Sequence, residues 1–151
     1  MGVILGLGLS LVVMLFHYEA LRLISDGLAG LPGRPRWRML AALAGCFLAH
    51  LLEIGVFAVA YLVLDRHFGA GALQGVAPGD IGDHFYFSTI TFTTVGYGDV
   101  VPTGLLRDVA ALQSLVGLLL IAWSASFSYL LMERLWPMHP RHGHPRKPGQ
   151  D

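Results

Sequence analysis

Residues 93–99 carry the pattern with the clearest chemical meaning, and they read Thr-Thr-Val-Gly-Tyr-Gly-Asp. In an ordinary strand, successive carbonyl groups point in opposite directions, whereas a stack of cation-coordinating oxygens needs successive carbonyls that face one axis. Glycine accepts positive φ, so Gly96 and Gly98 let the backbone alternate in handedness at little cost. The segment is therefore predicted to present backbone carbonyl oxygens, rather than side chains, to a dehydrated cation.

One copy of this loop supplies one oxygen at each level, so a complete ring of ligands needs several chains around an axis. The sequence shows no internal repeat, so each chain contributes a single loop. Four copies would provide rings of oxygens that replace the hydration shell of a potassium ion. These rings come from the carbonyls of Thr94, Val95, Gly96 and Tyr97, with the Thr94 hydroxyl as the lowest ring.

The composition indicates that lipid, rather than water, is the main solvent of this chain. Hydrophobic residues make up 54% and charged residues 13%, against about 25% charged residues in a soluble domain. Three apolar stretches, residues 3–24, 39–64 and 105–131, are each long enough to cross a hydrocarbon core of about 30 Å as a helix. Because they lack strict polar and apolar alternation, we expect an all-α membrane protein with three transmembrane helices per subunit.

The basic residues predict how these helices are oriented. Positively charged residues near membrane segments favour the cytoplasmic side. The region between the second and third stretches is acidic and should face outward, with residues 65–79 forming an extracellular turret. The N-terminus is then outside and the C-terminus cytoplasmic. Eight of the ten Lys and Arg residues lie in two groups that are predicted to be cytoplasmic: Arg22, Arg34, Arg36 and Arg38, and Arg134, Arg141, Arg146 and Lys147.

Two alternatives remain for the first apolar stretch. It is N-terminal and apolar like a secretory signal peptide, but it lacks a basic segment at its start. Its removal would also place the basic cluster at residues 34–38 outside the cell, against the charge rule. A helix that lies along the membrane interface is the second alternative. Residues 25–35, which are rich in Gly and Pro, are predicted to form a turn-rich loop.

Residues 80–92 are too short and too polar at their start to cross the membrane. They suit a short re-entrant helix, here called the pore helix, with Asp80 or Asp83 as its N-cap. Irregular backbone after such a helix is tolerated at membrane depth where it is surrounded by protein or lines water. The carboxyl end of the helix would direct its partial negative charge to the membrane centre, where it stabilises a cation.

The motif at residues 93–99 resembles the signature of the potassium channel family, and the resemblance covers residues 39–131. It implies a homotetramer in which outer helix, pore helix, filter and inner helix repeat around a four-fold axis. It also implies that Asp99 lies at the outer mouth and concentrates cations. Residues 3–24 are an addition to this two-helix architecture. By the same resemblance, Tyr97 turns away from the axis and packs against pore-helix aromatic residues, of which the candidates are Phe85, Tyr86 and Phe87.

The chain divides into three parts. Residues 1–38 comprise the additional transmembrane helix and a basic cytoplasmic loop, and residues 39–135 comprise the pore domain. Residues 136–151 are rich in Pro and basic residues, and are predicted to be a disordered cytoplasmic tail. A metal site at the tail histidines is an alternative that such a segment does not favour, since it fixes no ligand geometry. These histidines are His139, His142 and His144.

Small and polar residues recur along one face of the third stretch. This face suits a water-filled cavity below the filter, but small residues also let helices approach closely in lipid, and the sequence does not decide between the two. Inner helices of the family often carry a glycine at a similar distance from the filter, which makes Gly117 a candidate gating hinge. The residues of this face are Ser114, Gly117, Ile121, Ser124 and Ser128.

Ionisable residues also occur within the apolar stretches, where they are costly and need a polar partner or a function. His50 and Glu53 lie about one helical turn apart, on one face of the second stretch. His17 and Glu19 of the first stretch are expected to approach them. One hypothesis is a proton-sensitive contact between the additional helix and the pore, and the other is a neutral hydrogen-bonded packing cluster.

Together these features predict a channel subunit that conducts K⁺ passively. No cofactor is expected, and the bound ions are K⁺ ions in the filter. The expected partners are other copies of the chain and membrane lipid, without nucleic acid or a small-molecule substrate, in a prokaryotic plasma membrane. An accessory subunit that forms a pore only with partner subunits is the alternative. An enzyme is not expected, because the sequence lacks a nucleophile–base pair, metal-ligand spacing and a phosphate-binding fingerprint.

Overall fold

The computed structural model describes residues 1–30, 34–69, 71–76 and 79–136. Within these residues the chain forms four helices and one short antiparallel strand pair. In chain order they are α1 (Gly2–Gly30), α2 (Pro35–Phe68), β1 (Leu73–Gln74), α3 (Ile81–Phe92), β2 (Val101–Pro102) and α4 (Leu105–Leu135).

Three of the described helices are long and apolar enough to cross a membrane, over Gly2–Gly30, Pro35–Arg66 and Leu105–Leu135. Their outward faces carry large apolar side chains, including Leu11 and Phe47, which are 60% and 65% exposed. Such a surface suits lipid rather than water. The prediction of an all-α membrane protein with three apolar helices is confirmed.

The additional helix α1 packs against both α2 and α4. It runs in the same direction as α4, because Gly2 lies beside the start of α4 at Asp108, while His17 lies near Ser124 farther along. Gly45, near the start of α2, lies beside Ile24, near the end of α1, so α2 runs in the opposite direction. This alternation is what three successive crossings require.

Small residues make the contact between α1 and α4 close. A Cβ at Gly2 would lie 2.5 Å from Oδ2 of Asp108, and a Cβ at Gly6 would lie 2.7 Å from Cδ1 of Leu112. Ser10 continues the same buried face one turn later. Small residues at every fourth position typically allow helix backbones to approach in membranes. This spacing is visible in the sequence and is the signal for the contact.

The first connection is shorter than the predicted loop over residues 25–35. Helix α1 continues to Gly30, so the predicted turn at residues 25–30 is wrong. Leu28 is only 3% exposed, and its burial offsets the helix-weakening effect of Gly27, which is about 1 kcal/mol. Helix α2 begins at Pro35, a residue that suits the first position of a helix because its missing N–H needs no partner there.

The segment that follows α2 is tied to the segment that precedes α4. Strand β1 pairs with β2, with Leu73 opposite Pro102 and Gln74 opposite Val101. The Thr103 hydroxyl lies 2.8 Å from the backbone N of Ala72 and 2.9 Å from its carbonyl oxygen. These contacts fix the position of the segment between residue 98 and α4.

Candidate functional site

The pore helix is α3, and its N-cap is Asp80. The Asp80 Oδ1 atom accepts a hydrogen bond of 2.8 Å from the backbone N of Gly82. Asp83 lies in the first turn, where a negative charge also complements the helix dipole. The prediction of a short helix capped by Asp80 or Asp83 is therefore confirmed with Asp80 as the cap, and the carboxyl end of the helix leads directly into residues 94–98.

A buried polar network holds α3 between α2 and α4. The Tyr61 hydroxyl donates to Oε1 of Gln113 at 2.6 Å, and Nε2 of Gln113 donates to Oγ of Ser88 at 2.7 Å. The Ser88 hydroxyl in turn donates to the Ile54 carbonyl at 2.7 Å. The side chains of Tyr61, Ser88 and Gln113 are fully buried. A network with satisfied partners fixes one arrangement of the three helices.

This network was not predicted from the sequence. The signal for it is Gln113, an amide side chain in a mainly apolar helix, since a polar group at membrane depth requires a partner. Its partner could not be read from sequence spacing, because Tyr61 is 52 residues away.

The filter segment, residues 94–98, alternates in backbone handedness. Gly96 has φ 50° and Gly98 has φ 83°, which are backbone conformations that favour glycine. Thr94 has φ 60° and is the only non-glycine among the described residues with positive φ. For a β-branched residue this conformation is an outlier, and such strain concentrates at functional sites.

The pore helix anchors the start of this strained segment. The backbone N of Thr94 donates to the Thr91 carbonyl at 3.0 Å, and the backbone N of Gly96 donates to the Ile90 carbonyl at 3.1 Å. Two amides of the filter segment therefore point back into the protein. The carbonyl oxygens of Thr94 to Tyr97 accept no hydrogen bond from the described residues.

The side chains between the positive-φ residues are largely uncovered in one chain. Val95 is 52% exposed and Tyr97 is 73% exposed. An open groove beside the filter segment is lined by Thr91, Thr94 and Ser114, among others. The packing of Tyr97 against pore-helix aromatic residues stays a prediction for an assembled form.

Asp99 is fixed at the end of the filter segment by two hydrogen bonds. The Tyr86 hydroxyl donates to its Oδ2 atom at 2.6 Å, and the backbone N of Val100 donates to its Oδ1 atom at 3.1 Å. The hydrogen bond to Asp99 raises the pKa of the Tyr86 hydroxyl above its usual value. The carboxylate is exposed and therefore accessible to cations.

Gly117 lies where α4 crosses the end of α3. A Cβ at this position would overlap the carbonyl group of Phe92. The helix continues through this residue from Leu105 to Leu135. The structure thus gives Gly117 a role in close packing, and its role as a hinge stays a prediction.

The remaining residues of the inner-helix face do not share one environment. Ser124 is buried and lies 3.4 Å from Nε2 of His17, so for this residue the alternative of close helix packing applies. The Ser114 hydroxyl donates to the Ala110 carbonyl at 3.0 Å, and Ile121 is 38% exposed. Ser128 is half-buried. A cavity-lining role stays a prediction for Ser114, Ile121 and Ser128.

The structure brings together three of the four predicted intramembrane polar residues. Nδ1 of His17 lies 2.7 Å from Oε1 of Glu53, and Nδ1 of His50 lies 2.9 Å from Oε2. Glu19 does not join them, because its carboxylate is exposed and lies 3.4 Å from Nη1 of Arg22. The predicted tail histidines lie outside the described residues.

Comparison with known proteins assigns this arrangement to a family. Residues 49–133, which include α3, the filter segment and most of α4, match the family described as Ion channel. The chain belongs to this family. It is a family of channels and not of enzymes, and the resemblance to potassium channels stated from the sequence is confirmed.

Two curated relatives are potassium channels. The chain is 34% identical over 86 residues to an inward rectifier potassium channel of Paramagnetospirillum magnetotacticum, an alignment that covers 56% of this chain and 28% of the relative. It is 39% identical over 70 residues to two pore potassium channel b of Oryza sativa subsp. japonica, covering 46% of this chain and 17% of the relative. The chain thus spans less than a third of either relative. No solved structure gives a significant match.

Proposed function

We propose that this chain is a subunit of a potassium-selective channel, which conducts K⁺ passively down its electrochemical gradient through carbonyl groups of the filter segment. The observation that carries the proposal is the positive φ at alternate residues Thr94, Gly96 and Gly98. Alternating handedness is what allows successive carbonyls to face one axis. Carbonyl oxygens are also ligands that suit a hard cation.

The ion sites are assigned to the carbonyls of Thr94, Val95, Gly96 and Tyr97, with the Thr94 hydroxyl as the lowest ligand. The carboxyl end of α3 lies next to this segment, so its dipole stabilises a cation below the filter. Asp99, exposed at the other end, attracts cations to the entrance. The channel requires no cofactor besides the conducted K⁺.

A homotetramer is the assembly that fits these features. One chain provides one strand of ligands, and the exposed Val95 and Tyr97 side chains need protein neighbours if the segment lies at membrane depth. The open groove beside the filter segment offers a surface for the adjacent subunit. We assign the Asp99 end to the outside of the plasma membrane, with the N-terminus outside and the C-terminus cytoplasmic, because the basic residues flank the other end.

The test is a flux measurement on the full-length chain, purified and reconstituted into liposomes. We expect flux that follows the K⁺ gradient, is much smaller for Na⁺ and is blocked by barium. Gly96→Ala should abolish it, because alanine is strained at φ 50°. Gly55→Ala is the matched control, since a Cβ at Gly55 meets no atom within 4 Å.

The oligomeric state is measured on the same preparation. A tetramer with flux supports the proposal. A stable monomer or dimer without flux would refute it and would favour the accessory subunit that needs partner chains. Equal flux from the Gly96→Ala variant would exclude the filter segment as the conduction path.

A further inference from the structure

The polar cluster formed by His17, His50 and Glu53 lies where α1 meets α2, and the His50 ring lies beside Phe92 at the carboxyl end of α3. The side chains of His17 and Glu53 are fully buried, and that of His50 is 16% exposed. Each histidine directs its Nδ1 atom to a different oxygen of the same carboxylate. Two imidazoles and one carboxylate therefore converge on one point inside the helix bundle.

We propose that this cluster binds a divalent transition-metal ion of the Zn²⁺ class, through Nδ1 of His17, Nδ1 of His50 and the Glu53 carboxylate. One ligand atom from each of the three residues can be chosen so that all three lie within 4.8 Å of one another. Two histidines and one glutamate are a ligand set that Zn²⁺ uses, with a fourth position left for water. Mg²⁺ and Ca²⁺ prefer oxygen ligands alone, so the two imidazoles select against them.

The charge balance of the cluster supports a cation. With two neutral imidazoles, the buried Glu53 carboxylate leaves a net negative charge, which is costly within an apolar helix bundle. Arg22 does not neutralise it, because its guanidinium lies 3.4 Å from Glu19 and 4.0 Å from Asp26. Either a metal ion or a proton held on one imidazole compensates this charge, and the test below separates the two.

The surroundings of the cluster would hold the ligands in place. Nε2 of His17 lies 3.4 Å from Oγ of Ser124. When Nδ1 binds a metal, Nε2 carries the proton and can donate a hydrogen bond to this hydroxyl oxygen. The His17 and His50 rings are stacked, with centroids 5.2 Å apart. Trp123 lies beside the His17 ring and Phe92 beside the His50 ring, with centroids 5.5 Å and 5.6 Å away. These rings restrict rotation of both imidazoles.

Metal binding would require a small rearrangement. The present nitrogen–oxygen distances of 2.7 Å and 2.9 Å are those of hydrogen bonds. Tetrahedral ligands at about 2.0–2.1 Å from Zn²⁺ are about 3.3 Å apart, so each of these nitrogen–oxygen pairs would separate by about half an ångström. Any pair of ligand atoms nearer to the 4.8 Å limit would instead move closer together. Each Nδ1 proton moves to Nε2 of its own ring, and an imidazole that carries two protons releases one to solvent.

Because its ligands come from both α1 and α2, the site would link the additional helix to the pore domain. The assignment does not depend on ion conduction and is tested by metal binding alone. The tail contains three further histidines, at positions 139, 142 and 144, which are an independent source of Zn²⁺ binding. The experiment therefore uses the full-length chain without a histidine tag, in which these three residues are replaced by asparagine.

Binding of Zn²⁺ to this protein in detergent is measured by calorimetry and by metal analysis after dialysis, with Mg²⁺ as the comparison ion. We expect one Zn²⁺ per chain, and an affinity that falls at least tenfold in Glu53→Gln and in His17→Gln. Glu19→Gln is the matched control, because this exposed carboxylate lies on α1 outside the cluster, and it should bind like the parent. Equal binding by Glu53→Gln, or no binding by the parent, would overturn the proposal.

A second measurement needs no variant of the cluster and so does not depend on whether such variants fold. X-ray absorption at the zinc edge of the tail-substituted protein should show two imidazole ligands with oxygen ligands and no sulfur. Cys46, the single cysteine of the chain, is free and buried on α2. Sulfur coordination would assign the metal to this residue instead, and a single imidazole would exclude the pair of histidines.

Discussion

The Tyr86 hydroxyl donates a hydrogen bond of 2.6 Å to Asp99, which joins the pore helix to the chain that leaves the filter segment. Asp99 also accepts from the backbone N of Val100, so one carboxylate fixes both sides of this corner. The antiparallel pair of β1 and β2 begins two residues later. The Asp99 end of the filter segment is thus held by side-chain and backbone contacts together.

Replacing Tyr86 with Phe removes one of these contacts. We expect K⁺ flux in liposomes to be reduced or to decay with time, since Asp99 is then held only by its bond to Val100. Tyr129→Phe, which alters a tyrosine that is 60% exposed on α4, is the control. Unchanged, sustained flux in Tyr86→Phe would show that this hydrogen bond does not support conduction.

The same contact predicts a response at alkaline pH. Asp99 raises the pKa of Tyr86 in the folded protein, so the contact contributes stability that is fully present below the usual tyrosine pKa of about 10. This contribution is lost as pH rises through the higher folded-state pKa, when the hydroxyl no longer donates. Ultraviolet titration of tyrosinate should therefore show a late-ionising group that is missing in Tyr86→Phe. Loss in Tyr86→Phe of a group that ionises at the usual tyrosine pH, with the late-ionising group retained, would contradict the assignment.

The buried network around Gln113 should contribute to stability. Tyr61→Phe leaves Oε1 of Gln113 without its donor, and Gln113→Leu leaves the Tyr61 hydroxyl without its acceptor. Each change should destabilise the protein by about 1–3 kcal/mol, as measured by thermal unfolding in detergent. Because both variants disrupt one network, the double variant should lose less than the sum of the single losses. Strict additivity would show that the two groups act separately.

Gly117→Ala separates close packing from hinge bending. The added Cβ would overlap the Phe92 carbonyl, so we expect a lower unfolding temperature as well as reduced flux. Gly55→Ala, whose Cβ meets open space, should have neither effect. If Gly117→Ala alters gating but unfolds at the same temperature as the parent, the result would favour a role of Gly117 as a hinge.

The docking of α1 depends on the small residue at position 6. Gly6→Leu should separate α1 from α4, because even a Cβ there would lie 2.7 Å from the Leu112 side chain. Faster proteolysis between α1 and α2 reports this separation. Gly8→Leu faces open space and should leave the digestion pattern unchanged. If Gly6→Leu and Gly8→Leu are digested at the same rate, the docking of α1 against α4 does not depend on this contact.

Much of the fold could be predicted because its signals are local. The lengths of the apolar stretches predicted three membrane-crossing helices, and Asp80 and Asp83 were the two candidates for the start of the pore helix, of which the structure selects Asp80. The predicted turn at residues 25–30 was wrong because the buried contact of Leu28 outweighs the weak helix propensity of the glycines. A local propensity decides little where a tertiary contact opposes it.

The filter segment could be located from residue types alone, because glycine at positions 96 and 98 accepts the positive φ that the backbone adopts there. The packing of the helices selected which polar residues meet. It paired Tyr61 with Gln113 across 52 residues and His17 with Glu53 across 36, and it left Glu19 with Arg22. The physical reason is that a buried polar group must find a partner, but how the helices pack determines which partner it finds.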